Sequence, residues 1–211
     1  MTSAAPPPFR ILYVCVANIC RSVLAERLTR LEMAGQPVEW ARHFQVSSAG
    51  TRGRDGQRMH PHIGSLLSTW GADPTGFAAR RVTPALVQET DLVLTATTQE
   101  RDEVIGMLPT TLRRTFTINE FARLATWLGE PDDHEDRPAP AARRLVIRAL
   151  AARGLVRPDA PLPDGTVLPD DIVDPTGGTA AFQKCGGNVR QAVRAVVGTL
   201  RGSMAATSVH R

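Results

Sequence analysis

Cys15, Arg21 and Ser22 are residues whose types and spacing could do chemistry together. They lie in the run Tyr13-Val14-Cys15-Val16-Ala17-Asn18-Ile19-Cys20-Arg21-Ser22. An apolar segment leads into Cys15, and an amphipathic pattern (Val23, Leu24, Arg27, Leu28, Leu31) opens after Ser22. A short loop between a strand end and a helix start can curl with its N–H groups pointing inward. Such a ring binds an anion, and the helix N-terminus reinforces it. Cys15 would sit at its floor, where the same field favours the thiolate. Arg21 offers a planar fork that matches two oxygens of a phosphate. Ser22 can hydrogen-bond the thiolate or cap the helix. The parts are a nucleophile, an oxyanion cradle from Val16 to Arg21 and a bidentate cation. A Cys-x5-Arg spacing also arises by chance, from a buried strand-end cysteine and a surface arginine. The strand before it and the helix after it give it weight.

The elements that must hold these residues follow in order. Phe9 to Val16 reads as a strand buried on both faces, because Ile11, Leu12 and Val14 make it almost continuously apolar. Ser22 to about Met33 reads as a helix ended by Gly35 and Pro37. Phe44 to Ser47 is a second short strand, followed by Ser48-Ala49-Gly50-Thr51. His60 to Trp70 carries apolar residues at helical spacing (Ile63, Leu66, Leu67, Trp70), and His60 and His62 flank Pro61 at its start as surface residues. Thr83-Pro84 caps a short helix through Glu89. Asp91 to Thr95 is a third strand, Gln99 to Leu108 a helix, Thr115 to Ile118 a fourth strand, and Asn119 to Leu128 a helix. Strands alternating with helices predict an α/β fold with a parallel sheet covered on both faces and the phosphate-binding loop after the first strand.

The remainder of the chain is less regular. Residues 130–170 read as a long acidic and Pro-rich insertion with one helix, Ala141 to Arg153. Asp170, Asp171 and Asp174 then crowd one loop, and Pro175 keeps the backbone extended at Asp174. Asp170 and Asp171 are expected to be solvated. Thr179 to Arg201 is a closing helix in which Gly186-Gly187 costs roughly 1 kcal/mol per glycine relative to alanine, so a kink is expected there. Cys185, just before it, reads as a small core residue. Residues 1–8 and 202–211 read as flexible tails around one domain, residues 9–201.

Bulk properties narrow the classes. The chain has 211 residues, 42% of them hydrophobic, which suits one α/β domain with a real core. Its formal net charge of +4 is spread along the chain, a mild bias toward anionic ligands and no signature of nucleic-acid binding. Three unevenly spaced cysteines form no disulfide framework and point to the cytoplasm. No apolar run reaches transmembrane length, so no membrane partner is expected. His60 and His62 lack a third neighbour, so no metal site is expected.

Cys-x5-Arg-Ser near the N-terminus, with Asn18 and Cys20 inside it, resembles the low-molecular-weight protein tyrosine phosphatase family. Ser48-Ala49-Gly50-Thr51 resembles that family's Ser-Ala-Gly-Thr signature, and Gly71 to Arg81 resembles its Gly-x-Asp-x-Ser-x-His-x-Ala-Arg connection, with Phe77 close to the usual histidine. The resemblance implies a four-stranded parallel sheet. It implies that Ser48 and Asn18 brace the phosphate loop, with Ser22 and Cys20 in support, and that Asp174, in an Asp-Pro dipeptide before the last helix, is the general acid. It implies Cys15, Arg21 and Asp174 as the catalytic set. It implies that Val16, Ala17, Asn18, Ile19, Cys20, Arg21 and Ser22 form the phosphate site. The implied chemistry is hydrolysis of phosphate monoesters, protein phosphotyrosine foremost, through a cysteinyl-phosphate and without cofactor or metal. The chain departs from the family at the pocket rims. Residues 52–59 carry Arg52, Arg54 and Arg58 but no aromatic, and Thr176-Gly177-Gly178 follow Asp174-Pro175 where aromatics are usual. Phosphoarginine or a small phosphoester therefore stays open as substrate. So do two other readings of the chain. One is a thioredoxin-coupled arsenate reductase, for which Cys20 and Cys185 are the remaining thiols. The other is a phosphate-binding module without turnover.

Overall fold

The computed structural model describes residues 7–129 and 137–202. Its centre is one parallel sheet of four strands in the order β2-β1-β3-β4: β1 (Phe9–Cys15), β2 (Phe44–Gly50), β3 (Leu92–Thr95) and β4 (Thr115–Thr117). β1 is central, and its register pairs Cys15 with Gly50 on one side and Val14 with Thr95 on the other. The carboxyl ends of β1, β2 and β3 thus meet, which is where ligands sit in open sheets of this kind.

Side-chain alternation divides the core. Phe9, Ile11 and Tyr13 face one side, with α1 (Arg21–Ala34), α6 (Ile118–Leu128), α7 (Pro138–Ala152) and α8 (Thr179–Gly202). Leu12 and Val14 face the other, with α4 (Pro84–Gln88) and α5 (Thr98–Met107). Both sets are fully buried, which explains the nearly continuous apolar run. Tyr13 is buried whole because its hydroxyl meets Thr29 Oγ1 at 2.8 Å.

Most element positions match the sequence reading, with several corrections. Ser48, Ala49 and Gly50 extend β2 beyond its expected end at Ser47. A four-residue helix α2 (Val38–Ala41) and a 3-10 turn (Pro109–Arg114) carry too few residues for a periodic signal. α3 (Pro61–Thr69) begins one residue after His60, whose ring nitrogen accepts the His62 N–H. The expected kink in α8 is absent: the helix runs unbroken through Gly186 and Gly187. A Cβ at Gly186 would come within 2.8 Å of the Trp70 ring and 3.1 Å of Leu66, so the glycine lets α8 close on α3. Close packing supplies what helix propensity withholds. α7 starts at Pro138, three residues before the expected start at Ala141, and buries Ala142, Leu145, Val146 and Ala149 in the main core. Arg143 ties it to Asp91 at 2.9 Å. The 130–170 insertion therefore contributes to the core; its acidic part, residues 130–136, lies outside the described residues, as do 1–6 and 203–211 of the two expected tails.

Candidate active site

The loop between β1 and α1 turns its carbonyls outward. Cys15 O accepts from Thr51 N (2.9 Å), Val16 O from Arg52 N (2.8 Å), Ala17 O from Arg54 N (3.4 Å) and Ile19 O from His60 N (2.9 Å). The segment after β2 thus grips the loop from outside. Among the described residues, no protein acceptor takes the N–H groups of the five residues Val16 to Cys20. A turn with its carbonyls outside and its N–H groups uncommitted is an anion cradle. Two residues make the curl possible. Asn18 adopts a left-handed φ of 59°, which asparagine tolerates better than most side chains. Gly50 lets β2 press against the loop, since a Cβ there would lie 2.4 Å from Val16 O.

Arg80 N–H donates to Asn18 Oδ1 at 3.0 Å, so the amide nitrogen of Asn18 must be the group facing Ser22 Oγ and Ser48 Oγ, each at 2.9 Å. Both its hydrogens are then spent. Ser48 passes its own hydrogen to the buried carboxylate of Glu26, which Arg30 pairs at 2.8 Å. Ser22, having accepted from Asn18, has its hydrogen left for Cys15 Sγ at 3.0 Å. A hydroxyl aimed at sulfur stabilises a thiolate. Asn18 thus joins Ser22 to Ser48 beneath the loop. Glu26, Arg30 and Arg80 are further members that sequence reading missed. Glu26 lies four residues after Ser22 on one helix face, which was the available signal. Arg80 also donates from Nε to Ser48 O at 2.9 Å, and Arg30 to Val46 O at 2.8 Å, so two arginines cap outward carbonyls of the edge strand β2.

Arg21 is buried; its guanidinium makes one hydrogen bond and meets two carboxylates, and among the described residues Nε has no hydrogen-bond partner. Nη1 donates to Ile172 O (3.0 Å), Nη2 lies 3.3 Å from Glu100 Oε1, and Nε lies 3.0 Å from Asp174 Oδ1. Chain positions more than 150 apart thus meet at one cation. The loop carrying Asp174 is pinned along its length. Asp170 pairs with buried Arg123 at 2.7 Å, Asp171 accepts from Thr98 N at 2.8 Å, and Ile172 N donates to Ala96 O at 2.8 Å. This corrects the expectation that Asp170 and Asp171 are solvated: both are anchors, and Asp174 is the carboxylate of this loop that stands at Arg21 Nε. Asp174, Pro175, Lys184 and Cys185 line a cavity of about 400 Å³ between this loop and α8.

Cys20 and Cys185 are buried free thiols. Desolvation pushes Cys20 up to about 12, with further contributions from the charges of Asp174, Cys15 and Cys185, and with Arg21 opposing. Desolvation likewise pushes Cys185 up to about 11, with Arg21 opposing. Cys185 therefore adjoins the site as well as the core. The surroundings of His60 and His62 also differ from expectation. The rings of His60 and Phe182 stack at 4.3 Å and His62 lies 4.7 Å from Phe182, so aromatic groups reach the neighbourhood of Ile19 from the starts of α3 and α8. Half-buried His60 and His62 are thus part of a ring cluster, and sequence position gave no sign of it. Arg52 pairs with Glu103 at 2.8 Å, while Arg54 and Arg58 are exposed.

A family model described as low molecular weight phosphotyrosine protein phosphatase matches residues 10–134. This chain belongs to that family. A probable low molecular weight protein-tyrosine-phosphatase EpsP of Ralstonia nicotianae is 29% identical over 111 residues, covering 53% of this chain and 71% of the relative. A protein-arginine-phosphatase of Geobacillus stearothermophilus is 31% identical over 117 residues, covering 54% and 72%. Among solved structures, the YwlE arginine phosphatase of G. stearothermophilus superposes with a TM-score of 0.64 at 20% identity, covering 97% of this chain and 100% of that one. The tyrosine phosphatase amsI of Erwinia amylovora gives 0.61 at 18%, covering 94% and 95%. These two likenesses show the shared fold. In this low-molecular-weight phosphatase the family match includes the cradle and Ser48 but ends before Asp174. Among the described residues, no group of three or more His, Cys, Asp or Glu side chains is placed to hold a metal ion, and no helix is long and apolar enough to cross a membrane.

Proposed function

We propose that this protein hydrolyses phosphate monoesters, protein phosphotyrosine foremost, through a cysteinyl-phosphate. The observation that carries the reading is Cys15 Sγ, held by the Ser22 hydroxyl beneath five uncommitted N–H groups and beside the buried Arg21. Cys15 attacks phosphorus while the N–H groups of Val16 to Arg21 and the Arg21 guanidinium bind the equatorial oxygens, where charge spreads in the transition state. Asp174 gives a proton to the leaving oxygen, then as a carboxylate activates the water that releases phosphate. Its place on Arg21 Nε is one a phosphoryl oxygen can take, so substrate entry displaces Asp174 toward the leaving group. We read residues 9–201 as one domain working in a reducing cytoplasm, in keeping with three free cysteines.

A second substrate, phosphoarginine, is favoured by the likeness to a protein-arginine-phosphatase and by the absence of an aromatic in residues 52–59. The test compares phosphotyrosine and phosphoarginine peptides with p-nitrophenyl phosphate, and with arsenate plus a dithiol. Phosphotyrosine turnover that vanishes in Cys15→Ser while vanadate still binds is the expected result, because the cradle is mostly backbone. Arg21→Lys should lose at least tenfold, since a point charge cannot reproduce the fork. Retained hydrolysis in Cys15→Ser would sink the reading.

A further inference from the structure

Glu100 is a buried acid with no task in the chemistry above. It sits at the third position of α5, after the N-cap Thr97, and its own N–H donates to Thr97 Oγ1 at 3.3 Å. The same Thr-x-x-Glu spacing opens α6, where it closes a full capping box: Thr117 Oγ1 accepts the Glu120 N–H at 3.1 Å and the Glu120 carboxylate accepts the Thr117 N–H at 3.2 Å. In α5 the return bond is not made among the described residues. The Glu100 carboxylate meets the Thr97 hydroxyl with one oxygen and turns the other to Arg21 Nη2 at 3.3 Å. A capping acid has been diverted to the site.

Arg21 thus has two carboxylate partners of opposite character. The side chains of Arg21 and Glu100 are each 3% exposed, whereas that of Asp174 is 60% exposed. A buried guanidinium with Asp174 as its sole counter-charge would hold that carboxylate ionised and in place, because removing one partner of a buried pair strands the other charge. We infer that Glu100 is a positioning residue that supplies the permanent counter-charge of Arg21, freeing Asp174 to yield Nε to a phosphoryl oxygen and to carry a proton. This rests on the phosphatase reading above.

Arg21 faces Asp174 from α1, Cys20 from the loop, and Cys185 and Lys184 from α8 across the cavity. Asp171, on the same loop, is turned to Thr98. Arg101, next to Glu100, is turned to Asp102 and Glu120. Lys184, which is exposed, is a second cation that lines the cavity with Asp174.

The test uses full-length E100Q and E100D with phenyl phosphate and p-nitrophenyl phosphate across pH. E100Q keeps a partner for Thr97 but removes the charge. Its kcat on phenyl phosphate should fall about tenfold, more than on the nitrophenyl ester. The descending limb of its pH profile should move down by about one pH unit, since an unshared cation favours the carboxylate that must be protonated. E100D withdraws the charge by one methylene and should show the same changes at roughly half size, a grading expected for a charge effect. A role in capping alone would lower thermal stability and leave the limb where it is, and that result overturns the inference. Should E100Q fail to fold, E100D decides: a wild-type limb and wild-type kcat overturn it. Cys15→Ser separates the two failures. An inactive Cys15→Ser beside a normal E100Q defeats this inference alone, whereas an active Cys15→Ser defeats the phosphatase reading.

Discussion

Asp174 and Asp171 share a loop, and their surroundings separate their duties. Asp171 is held by the N-terminus of α5, and Asp174 stands at Arg21. Proton donation is worth roughly 10²–10⁴-fold when the leaving oxygen is basic, and a tyrosine oxygen, with a conjugate acid near pKa ~10, is basic. Asp174→Asn should therefore slow phosphotyrosine hydrolysis far more than p-nitrophenyl phosphate hydrolysis, with burst kinetics checking that enzyme phosphorylation limits. Asp171→Asn should slow both substrates alike by loosening the loop; a leaving-group-dependent loss there, with Asp174→Asn normal, would transfer the acid role. Cys20 permits a second expectation. Mild peroxide oxidises Cys15 to a sulfenic acid, and attack by Cys20 sulfur expels water to form a disulfide that thiols reverse. Peptide mapping should find Cys15 linked to Cys20. Sulfinic Cys15 without that link, or a link to Cys185, contradicts it.

At the scale of elements, the two adjacent glycines of α8 answer to different forces. Gly186 is buried where a Cβ would meet Trp70 and Leu66, while Gly187 is exposed with nothing within 4 Å of a Cβ. Gly187→Ala should stabilise the protein by about 1 kcal/mol through helix propensity. Gly186→Ala should destabilise it by about 1–3 kcal/mol through overpacking between α3 and α8. Urea unfolding of both variants checks the pair, and equal shifts would show that α8 does not close on α3 as described. The acid loop follows a similar logic. Its tethers to Arg123, to Ala96 and Thr98, and to Arg21 come from three different segments (α6, the junction of β3 and α5, and α1), so its shape is a property of the assembled site.

Across the whole molecule, burial of titratable groups couples the core to pH. Cys20, Cys185 and Tyr13 all titrate higher in the folded chain, chiefly through desolvation, against ordinary values of 9.0 for the thiols and 10.0 for the phenol. The stability from these neutral forms is complete below pH 9 and is lost as pH rises, because the unfolded chain releases protons that the folded chain retains. For the thiols the window runs from 9.0 to about 11 for Cys185 and to about 12 for Cys20. Melting temperature should accordingly fall above pH 9, and Cys185→Ala should shallow that slope. A slope unchanged by the substitution would show that Cys185 ionises freely in the folded protein.

The sequence by itself determined the local parts. The apolar run into Cys15, the five-residue gap and the amphipathic α1 specify a strand, a turn and a helix start, and those three suffice to imply an anion cradle. Alternating strands and helices specified a parallel sheet covered on both faces. These features are local or periodic, so neighbouring residues encode them. What tertiary structure decided are the meetings between distant segments. Arg21 finds Glu100 and Asp174 through crossovers of 79 and 153 residues, Asn18 is oriented by the Arg80 N–H, and Phe182 brings a ring to His60. An exposed-looking glutamate on a short helix and a buried counter-ion have the same local sequence, because burial is imposed by what packs on top. For the same reason Gly186-Gly187 read as a break: its helix is held by Trp70 and Leu66, which lie more than a hundred residues away.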